Sequence, residues 1–307
     1  MFTRISVIMT LIFCFLMPVV PGHTSEFETR TDIPPLGRTD PEQFREFHSA
    51  HGGAGSIRYM ELLGSDDFET NFLFIHRGVI PPKSSIGEHV HRSMEEMYIV
   101  FDSPARFTVN GHTAELPAGA MVLCPMGSSH GIYNHTDREI QWMNIAVGTK
   151  KGEFDAIDFN DDLVKAPLEN PPVFRWTRLD RSLMHPGGSA HQGKGEILFR
   201  RLWNSEAFGT NWYVVSHAVV PPGASIGYHQ HNTREEVYYI ISGTGRLTAN
   251  GKTFDVRSGD AVPCRLHGSH GIFNNSSNDL EVLVFSCSVV KGVVTDEKNL
   301  GDDLSGR

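Results

Sequence analysis

Residues 223–243, GASIGYHQHNTREEVYYIISG, decide the fold of this chain. They place His229 and His231 two positions apart, and Glu236 follows five positions later. Because side chains alternate between the two faces of a β-strand, both imidazoles should point the same way. Residues 83–103, KSSIGEHVHRSMEEMYIVFDS, carry the same spacing 140 residues earlier (223 − 83). The chain therefore contains one structural unit twice.

Each half adds a third histidine at the same offset, so that each half has four candidate metal ligands. The first ligand set is His89, His91, Glu96 and His130, and the second ligand set is His229, His231, Glu236 and His270. Three neutral imidazoles and one carboxylate suit Mn(II), Fe(II), Ni(II), Cu(II) or Zn(II). We therefore predict one divalent transition metal in each half.

The repeat extends well beyond the ligands and needs no gap between residues 50 and 134. For example, Ser129-His130-Gly131-Ile132 recurs as Ser269-His270-Gly271-Ile272. Such self-similarity indicates a tandem duplication. Short apolar runs are separated by turns such as Asn110-Gly111, which is a strong hairpin signal. This pattern predicts an all-β sandwich or barrel in each half.

These residues resemble the cupin superfamily. Its first motif, G-x5-H-x-H-x4-E-x6-G, is complete in the second half, from Gly223 to Gly243. Its second motif, G-x5-P-x-G-x2-H-x3-N, is complete in the first half, from Gly119 to Asn134. The resemblance is to a bicupin of the secreted or periplasmic bacterial type. It implies two tandem double-stranded β-helix (jelly-roll) barrels, each with an interior metal, for which Mn or Fe is favoured.

Four residues depart from these motifs. Lys83 and Ser103 replace the two glycines of the first motif in the first half. Arg265 and His267 replace the proline and the first following glycine of the second motif in the second half. For Lys83 and Ser103 we expect altered loop geometry and an intact site. For Arg265 and His267, one interpretation is loop drift with the side chains in solvent. The other is an added cation and imidazole at the mouth of the second barrel, with one catalytic and one structural metal site.

Three residues are candidate general bases: His267, Tyr98 and Tyr238. The two tyrosines follow the ligand glutamates by two positions and are also compatible with core aromatics or hydrogen-bond donors. Glu95 and Glu235 directly precede those glutamates, so strand alternation points them away from the metal. We expect both of them at an exposed rim.

Two further pairs of residues repeat at the same offset. His51 and His191 lie in glycine-rich segments, where they would cap a barrel, bridge the halves or serve as turn residues. Arg106 and Arg246 are expected to face outward, and an inward arginine would suit a carboxylate substrate.

The chain divides into five predicted segments. They are a signal peptide (1–25), an N-terminal cupin domain with a leading arm (26–147), a surface connector (148–177), a C-terminal cupin domain (178–290) and an extended or loosely ordered tail (291–307). Arg4 and the apolar run after it are typical of a cleaved signal, which predicts a periplasmic or secreted protein without stable membrane association. A Cys264–Cys287 disulfide is one option in such a compartment.

The net charge of −9 argues against nucleic acid and anionic membranes as partners. The expected partner is a small-molecule substrate, and a homo-oligomer is a further option. We expect a metal-dependent enzyme acting on an organic acid or sugar derivative by oxygenation, decarboxylation or isomerisation/lyase chemistry. The alternative is a non-catalytic extracytoplasmic binding protein for a sugar, organic acid or metal ion.

Overall fold

The computed structural model describes residues 30–293 and 297–307. The predicted signal peptide, residues 1–25, lies outside the described residues. Across the described ranges, no helix combines the length and the apolar character needed to cross a membrane.

Antiparallel strands make up most of the structure, together with short 3₁₀ helices. The strands of the first half and the connector are β1 (Gly37–Arg38), β2 (Arg45–His48), β3 (Ser56–Gly64), β4 (Phe72–Ile80), β5 (Ser85–Val90), β6 (Met94–Val100), β7 (Ala105–Val109), β8 (His112–Leu116), β9 (Ala120–Cys124), β10 (Ser129–Tyr133), β11 (Ile140–Gly148), β12 (Ile157–Asp158) and β13 (Trp176–Arg178). Those of the second half are β14 (His185–Pro186), β15 (Leu198–Asn204), β16 (Trp212–Val220), β17 (Ser225–His231), β18 (Arg234–Ser242), β19 (Thr244–Ala249), β20 (Lys252–Arg257), β21 (Asp260–Cys264), β22 (Ser269–Phe273), β23 (Leu280–Ser288) and β24 (Glu297–Asn299). The 3₁₀ helices are Pro41–Gln43, Ala50–Gly52, Ser65–Asp67, Arg181–Leu183, Ala190–Gln192 and Ser205–Ala207.

Each half folds into a barrel of two facing sheets. In the first barrel the strand orders are β13-β9-β6-β11-β4-β3-β2 and β12-β5-β10-β7-β8. In the second barrel they are β1-β21-β18-β23-β16-β15-β14 and β20-β19-β22-β17-β24. This is the jelly-roll arrangement, in which few sheet edges are left open. The predicted all-β fold of two tandem jelly-roll barrels is confirmed.

The segments outside the barrels take part in their sheets. The leading arm crosses to the second barrel, where β1 pairs with β21. The connector adds β12 and β13 to the two sheets of the first barrel. The tail adds β24 to β17, and Leu304 is buried against Tyr228 and Phe273. Of the two alternatives for the tail, the structure has an extended segment at residues 297–299 and not a loosely ordered one, because this segment covers a sheet edge.

A shared hydrophobic core joins the two barrels. Each barrel has its own interior cluster, and a third cluster draws side chains from both halves. In that third cluster, Phe72 of the first barrel packs edge-on against Trp212 of the second, with ring centroids 5.7 Å apart. The sheets carrying the ligand glutamates, on β6 and β18, form the two sides of this interface.

A reciprocal pair of carboxylates crosses the same interface. Glu95 accepts hydrogen bonds from the backbone N–H groups of residues 209–210, at 2.7 and 2.8 Å. Glu235 accepts hydrogen bonds from those of residues 69–70, at 2.7–3.0 Å. Both glutamates point away from the ligand sets, as predicted, but the expected exposed rim position is wrong. Their side chains are buried because the other barrel covers this face.

Removing one of these carboxylates should weaken the packing of the two barrels against each other. Glu235→Ala leaves buried N–H groups without an acceptor, so we expect the free energy of unfolding to fall by roughly 1–3 kcal/mol. Urea denaturation measures this change. Glu42→Ala, at an exposed site, serves as the control and should leave stability unchanged. An equal, negligible effect of both substitutions would contradict a stabilising role for the reciprocal contact.

The three cysteines of the described chain are free thiols in buried positions. They are Cys124, Cys264 and Cys287. Cys264 lies in the interior cluster of the second barrel, whereas Cys287 lies in the cluster between the barrels. The Cys264–Cys287 disulfide is therefore not formed, because the two side chains belong to different hydrophobic cores.

Candidate metal centres

The structure brings the first ligand set together inside the first barrel. Strand β5 supplies His89, the residue directly after this strand is His91, β6 supplies Glu96, and β10 supplies His130. The Nε2 atoms of His130 and His91 lie 3.0 and 3.6 Å from Oε2 of Glu96. One donor atom from each of the four buried residues falls within 4.8 Å of all the others. A single ion can contact all four at this spacing.

The second ligand set converges in the same way inside the second barrel. Strand β17 supplies His229 and His231, β18 supplies Glu236, and β22 supplies His270. The Nε2 atoms of His270 and His231 lie 3.3 and 3.8 Å from Oε2 of Glu236. These four residues are also buried, with donor atoms within 4.8 Å of one another.

Backbone carbonyls orient the first histidine of each ligand set, His89 and His229. Nδ1 of His89 lies 2.8 Å from the carbonyl of Gly87, and Nδ1 of His229 lies 2.8 Å from that of Gly227. A carbonyl only accepts, so Nδ1 carries the proton and the Nε2 lone pair faces the ligand set. Nε2 of His229 and Nε2 of His91 are buried without a hydrogen-bond partner among the described residues. Such lone pairs beside a carboxylate fit a divalent metal in each barrel.

The protonation states also favour metal binding. Burial lowers the pKa of His89 to about 2 and that of His231 to about 3. Burial opposes ionisation of Glu96, but the hydrogen bond with His130 and the nearby imidazole of His91 hold its pKa well below the usual range. Neutral imidazoles such as His89 and His231, beside an ionised carboxylate, are the forms that coordinate metals, whereas Glu96 raises the pKa of His91 against the effect of burial.

A further histidine stacks on each metal site. The ring of His51 lies 3.7 Å from that of His89 at an interplanar angle of 7°, and His191 lies 3.6 Å from His229 at 6°. Both stacking residues have positive φ, near 50°. A Cβ on Gly87 would lie only 2.2 Å from the His51 carbonyl, so glycine permits this close approach. Of the three roles considered for these histidines, bridging of the halves is wrong, because each lies in a 3₁₀ turn and stacks on a ligand of its own barrel.

The two candidate tyrosines lie beside the ligand sets. Tyr98 packs edge-on against His130 at 5.5 Å, and Tyr238 packs edge-on against His270 at 5.6 Å. Burial raises the pKa of both phenols well above the usual value. A phenol that keeps its proton suits hydrogen-bond donation better than proton abstraction. The catalytic role of these tyrosines stays a prediction.

The structure does not bring His267 and Arg265 into the second ligand set. Nδ1 of His267 lies 3.1 Å from Oδ1 of Asn232, and its backbone takes the positive φ expected at the motif glycine. Arg265 donates to the backbone carbonyl of Asp67 at 2.7 Å and lies 3.4 Å from a carboxylate oxygen of Asp32. The Arg265 side chain therefore reaches across the interface and contacts the first barrel and the leading arm.

A different arginine distinguishes the two sites. Arg234 is buried, and its Nη2 lies 3.0 Å from Nε2 of His231. Its Nε lies 3.2 Å from Oε1 of Glu236, and Glu297 of β24 holds Nη2 at 3.0 Å. The equivalent residue of the first half is Met94 (234 − 140). Sequence reasoning missed this difference, although comparing the halves position by position would have revealed it.

The first site has polar neighbours that the second lacks. Asn144 donates from Nδ2 to Oε1 of Glu96 at 2.9 Å, and Trp142 lies two residues earlier on the same strand. The equivalents in the second barrel are Val284 and Val282. Sequence reasoning did not predict this difference, because both positions lie beyond residue 134, where the repeated motifs end.

A cavity of about 370 Å³ reaches the first ligand set. His91 and Glu96 form part of its wall, together with Asn144 and Tyr98. Much of the remaining wall is aromatic, from Phe47, Tyr59, Phe74, Trp142 and Phe154.

Known proteins share this architecture. The cupin domain family matches residues 76–146 and 216–286. The chain is 36% identical over 91 residues to the oxalate-binding protein of Thermotoga maritima, covering 30% of this chain and 75% of that protein. Over 93 residues it is 35% identical to an uncharacterised protein of Methanocaldococcus jannaschii, covering 30% of this chain and 74% of that protein.

Two enzymes of solved structure have a similar fold. Oxalate decarboxylase of Bacillus subtilis is 17% identical, with a TM-score of 0.58 over 92% of this chain and 81% of that chain. Salicylate 1,2-dioxygenase of Pseudoaminobacter salicylatoxidans is 16% identical, with a TM-score of 0.55 over 75% of this chain and 73% of that chain. With the family match present in both halves, this chain belongs to the cupin family and carries two cupin domains in tandem.

Proposed function

We propose that this protein is a metal-dependent enzyme whose first barrel acts on a small oxygenated substrate. The observation that carries the proposal is the cavity of about 370 Å³ that reaches His91 and Glu96. In the second barrel, the guanidinium of Arg234 lies against the corresponding ligand atoms. The second site then has a structural role, and the two metal sites have different tasks.

The first ligand set would hold the metal, for which Mn(II) or Fe(II) is favoured. The fold-related oxalate decarboxylase of Bacillus subtilis has Mn(II) centres, which supports this choice. When bound, the metal supplies a Lewis acid that polarises an oxygen atom of the substrate. Oxygenation, decarboxylation and isomerisation/lyase chemistry are all compatible with such a centre.

The chain itself positions the reacting groups. The Asn144 amide holds one oxygen of Glu96, which leaves Oε2 directed at the three imidazoles. The Gly87 carbonyl holds the ring of His89 in one tautomer. Tyr98 keeps its phenolic proton and is placed to donate a hydrogen bond beside the metal ligands. Met94 and the aromatic side chains form the apolar part of the cavity wall.

Metal dependence is the direct test. Protein prepared without chelators should hold close to two ions per chain by elemental analysis. Removing the metal should abolish turnover, and replenishment with Mn(II) or Fe(II) should restore it, measured as oxygen uptake or carbon dioxide release. Failure to retain Mn(II), Fe(II), Ni(II) or Zn(II) after replenishment would contradict the proposal.

The second candidate is a non-catalytic extracytoplasmic binding protein. The observation in its favour is the relative from Thermotoga maritima, which is named for binding oxalate. Metal-dependent binding of oxalate that returns the ligand unchanged, with no turnover of other substrates, would favour this candidate over the enzyme.

A further inference from the structure

We propose that the cavity of the first barrel accepts a planar aromatic molecule, which binds the metal through an oxygen atom and carries no free carboxylate. This inference rests on the proposed function and names its substrate class. The proposed ligand differs from oxalate, after which the relative from Thermotoga maritima is named. Its basis is the size, the wall and the charge of the cavity.

The volume suits a ligand larger than a two-carbon acid. Cavities of roughly 300–1,000 Å³ enclose drug-sized molecules, and this one measures about 370 Å³. Oxalate bound at His91 and Glu96 would leave most of this space to water. A ring attached to the metal-binding oxygen would fill it.

The walls present flat aromatic surfaces. Phe47 stacks on Tyr59 with centroids 4.6 Å apart, and Phe74 stacks on His76 at 4.1 Å with an interplanar angle of 4°. Tyr59 also meets Trp142 edge-on at 6.1 Å. Planar rings gain most from offset-stacked and edge-on contacts with such walls.

Two phenylalanines at the cavity are exposed. Phe154 of the connector is 73% exposed, and Phe47 of β2 is 41% exposed. Both line the cavity. Large apolar side chains that cluster in solvent around a concave site are typical of a surface that binds an apolar ligand.

The charges of the wall disfavour a second carboxylate on the ligand. Of the described residues that line the cavity, none is a lysine or an arginine. The three wall histidines outside the ligand set each lie near a carboxylate: His48 near Glu46, His51 near Asp158 and His76 near Glu61, at 3.9, 2.6 and 3.7 Å. A free carboxylate would lose its hydration without gaining a dedicated counter-ion.

The polar atoms of the wall suit an uncharged oxygen substituent. Trp142 Nε1 is a donor and Asn144 Oδ1 is an acceptor, and both are buried without a hydrogen-bond partner among the described residues. Buried polar atoms are normally paired, so a hydroxyl or carbonyl group of the ligand would satisfy them. Valines take both positions in the second barrel, so this recognition belongs to the first site alone.

The test is calorimetry on the full chain loaded with Zn(II), which supports binding without redox turnover. The two probes are oxalate and 2′-hydroxyacetophenone, a neutral aromatic ring that carries a hydroxyl group next to its acetyl carbonyl. We expect the aromatic probe to bind once per chain, at least about tenfold more tightly than oxalate. Oxalate binding as tight as the aromatic probe, or tighter, would overturn the inference.

Two connector phenylalanines give a matched pair of variants. Phe154 lines the cavity, whereas Phe159 is 51% exposed and does not. Phe154→Ala should weaken binding of the aromatic probe by at least about threefold, and Phe159→Ala should leave it unchanged. Equal effects of the two substitutions would overturn the inference.

The outcomes separate this inference from the proposed function. If Zn(II) fails to bind, both fail. If Zn(II) binds and metal-dependent turnover is found, but oxalate is preferred, only the assignment of an aromatic ligand fails.

Discussion

Replacing His91 by alanine should reduce turnover at least about 100-fold, whereas His231→Ala should retain most of the activity. His91 lines the cavity of the first barrel, so its loss removes a ligand at the point where substrate arrives. His231 lies against Arg234, in the site to which we assign a structural role. Steady-state turnover with a substrate of the wild-type protein measures the difference.

Elemental analysis provides the control for this pair. Each variant should lose about one ion per chain relative to wild type, and thermal unfolding should verify that each remains folded. Equal losses of activity in two folded variants would contradict a division into one catalytic and one structural site.

Replacing Arg234 by methionine should tighten metal binding at the second site by at least about tenfold. The guanidinium lies 3.0 Å from Nε2 of His231, so it occupies a lone pair that the metal needs. It also adds a fixed positive charge beside Glu236, which repels an incoming cation. Titration with Mn(II), followed by electron paramagnetic resonance, measures the affinity of each site.

The reciprocal change is the matched control. Met94→Arg should weaken the first site by a comparable factor, because it adds the same cation at the equivalent position. A second site that binds metal less tightly in Arg234→Met would show that the arginine assists binding instead of competing with the metal. In that event the assignment of Arg234 would be wrong.

Much of the fold and of both candidate metal centres was predictable from local spacing. The His-x-His pair, the following acid and the hairpin signals depend on strand alternation and turn chemistry, which act over a few residues. The third histidine of each set was found through the repeat. Glu95 shows the limit of such reasoning. Its direction followed from alternation, but its burial depends on a loop 114 residues away.

Other features escaped prediction because they depend on segments distant in sequence. The tail forms β24 beside β17, and Glu297 of that strand holds Arg234 at the second site. The stacking of His51 on His89 depends on a backbone approach that only the folded barrel brings about. The cavity combines β2, β4, β11 and the connector, which no short motif connects.

The sequence by itself determined that this protein has two β-barrels with one complete ligand set in each, because duplication preserves both periodicity and ligand spacing. Only the tertiary structure decided how the two sites differ. Arg234 enters one site, and an aromatic cavity opens onto the other. The physical reason is that the contacts around a metal site come from strands and loops far apart in the chain, and their proximity exists only after the barrels close and pack together.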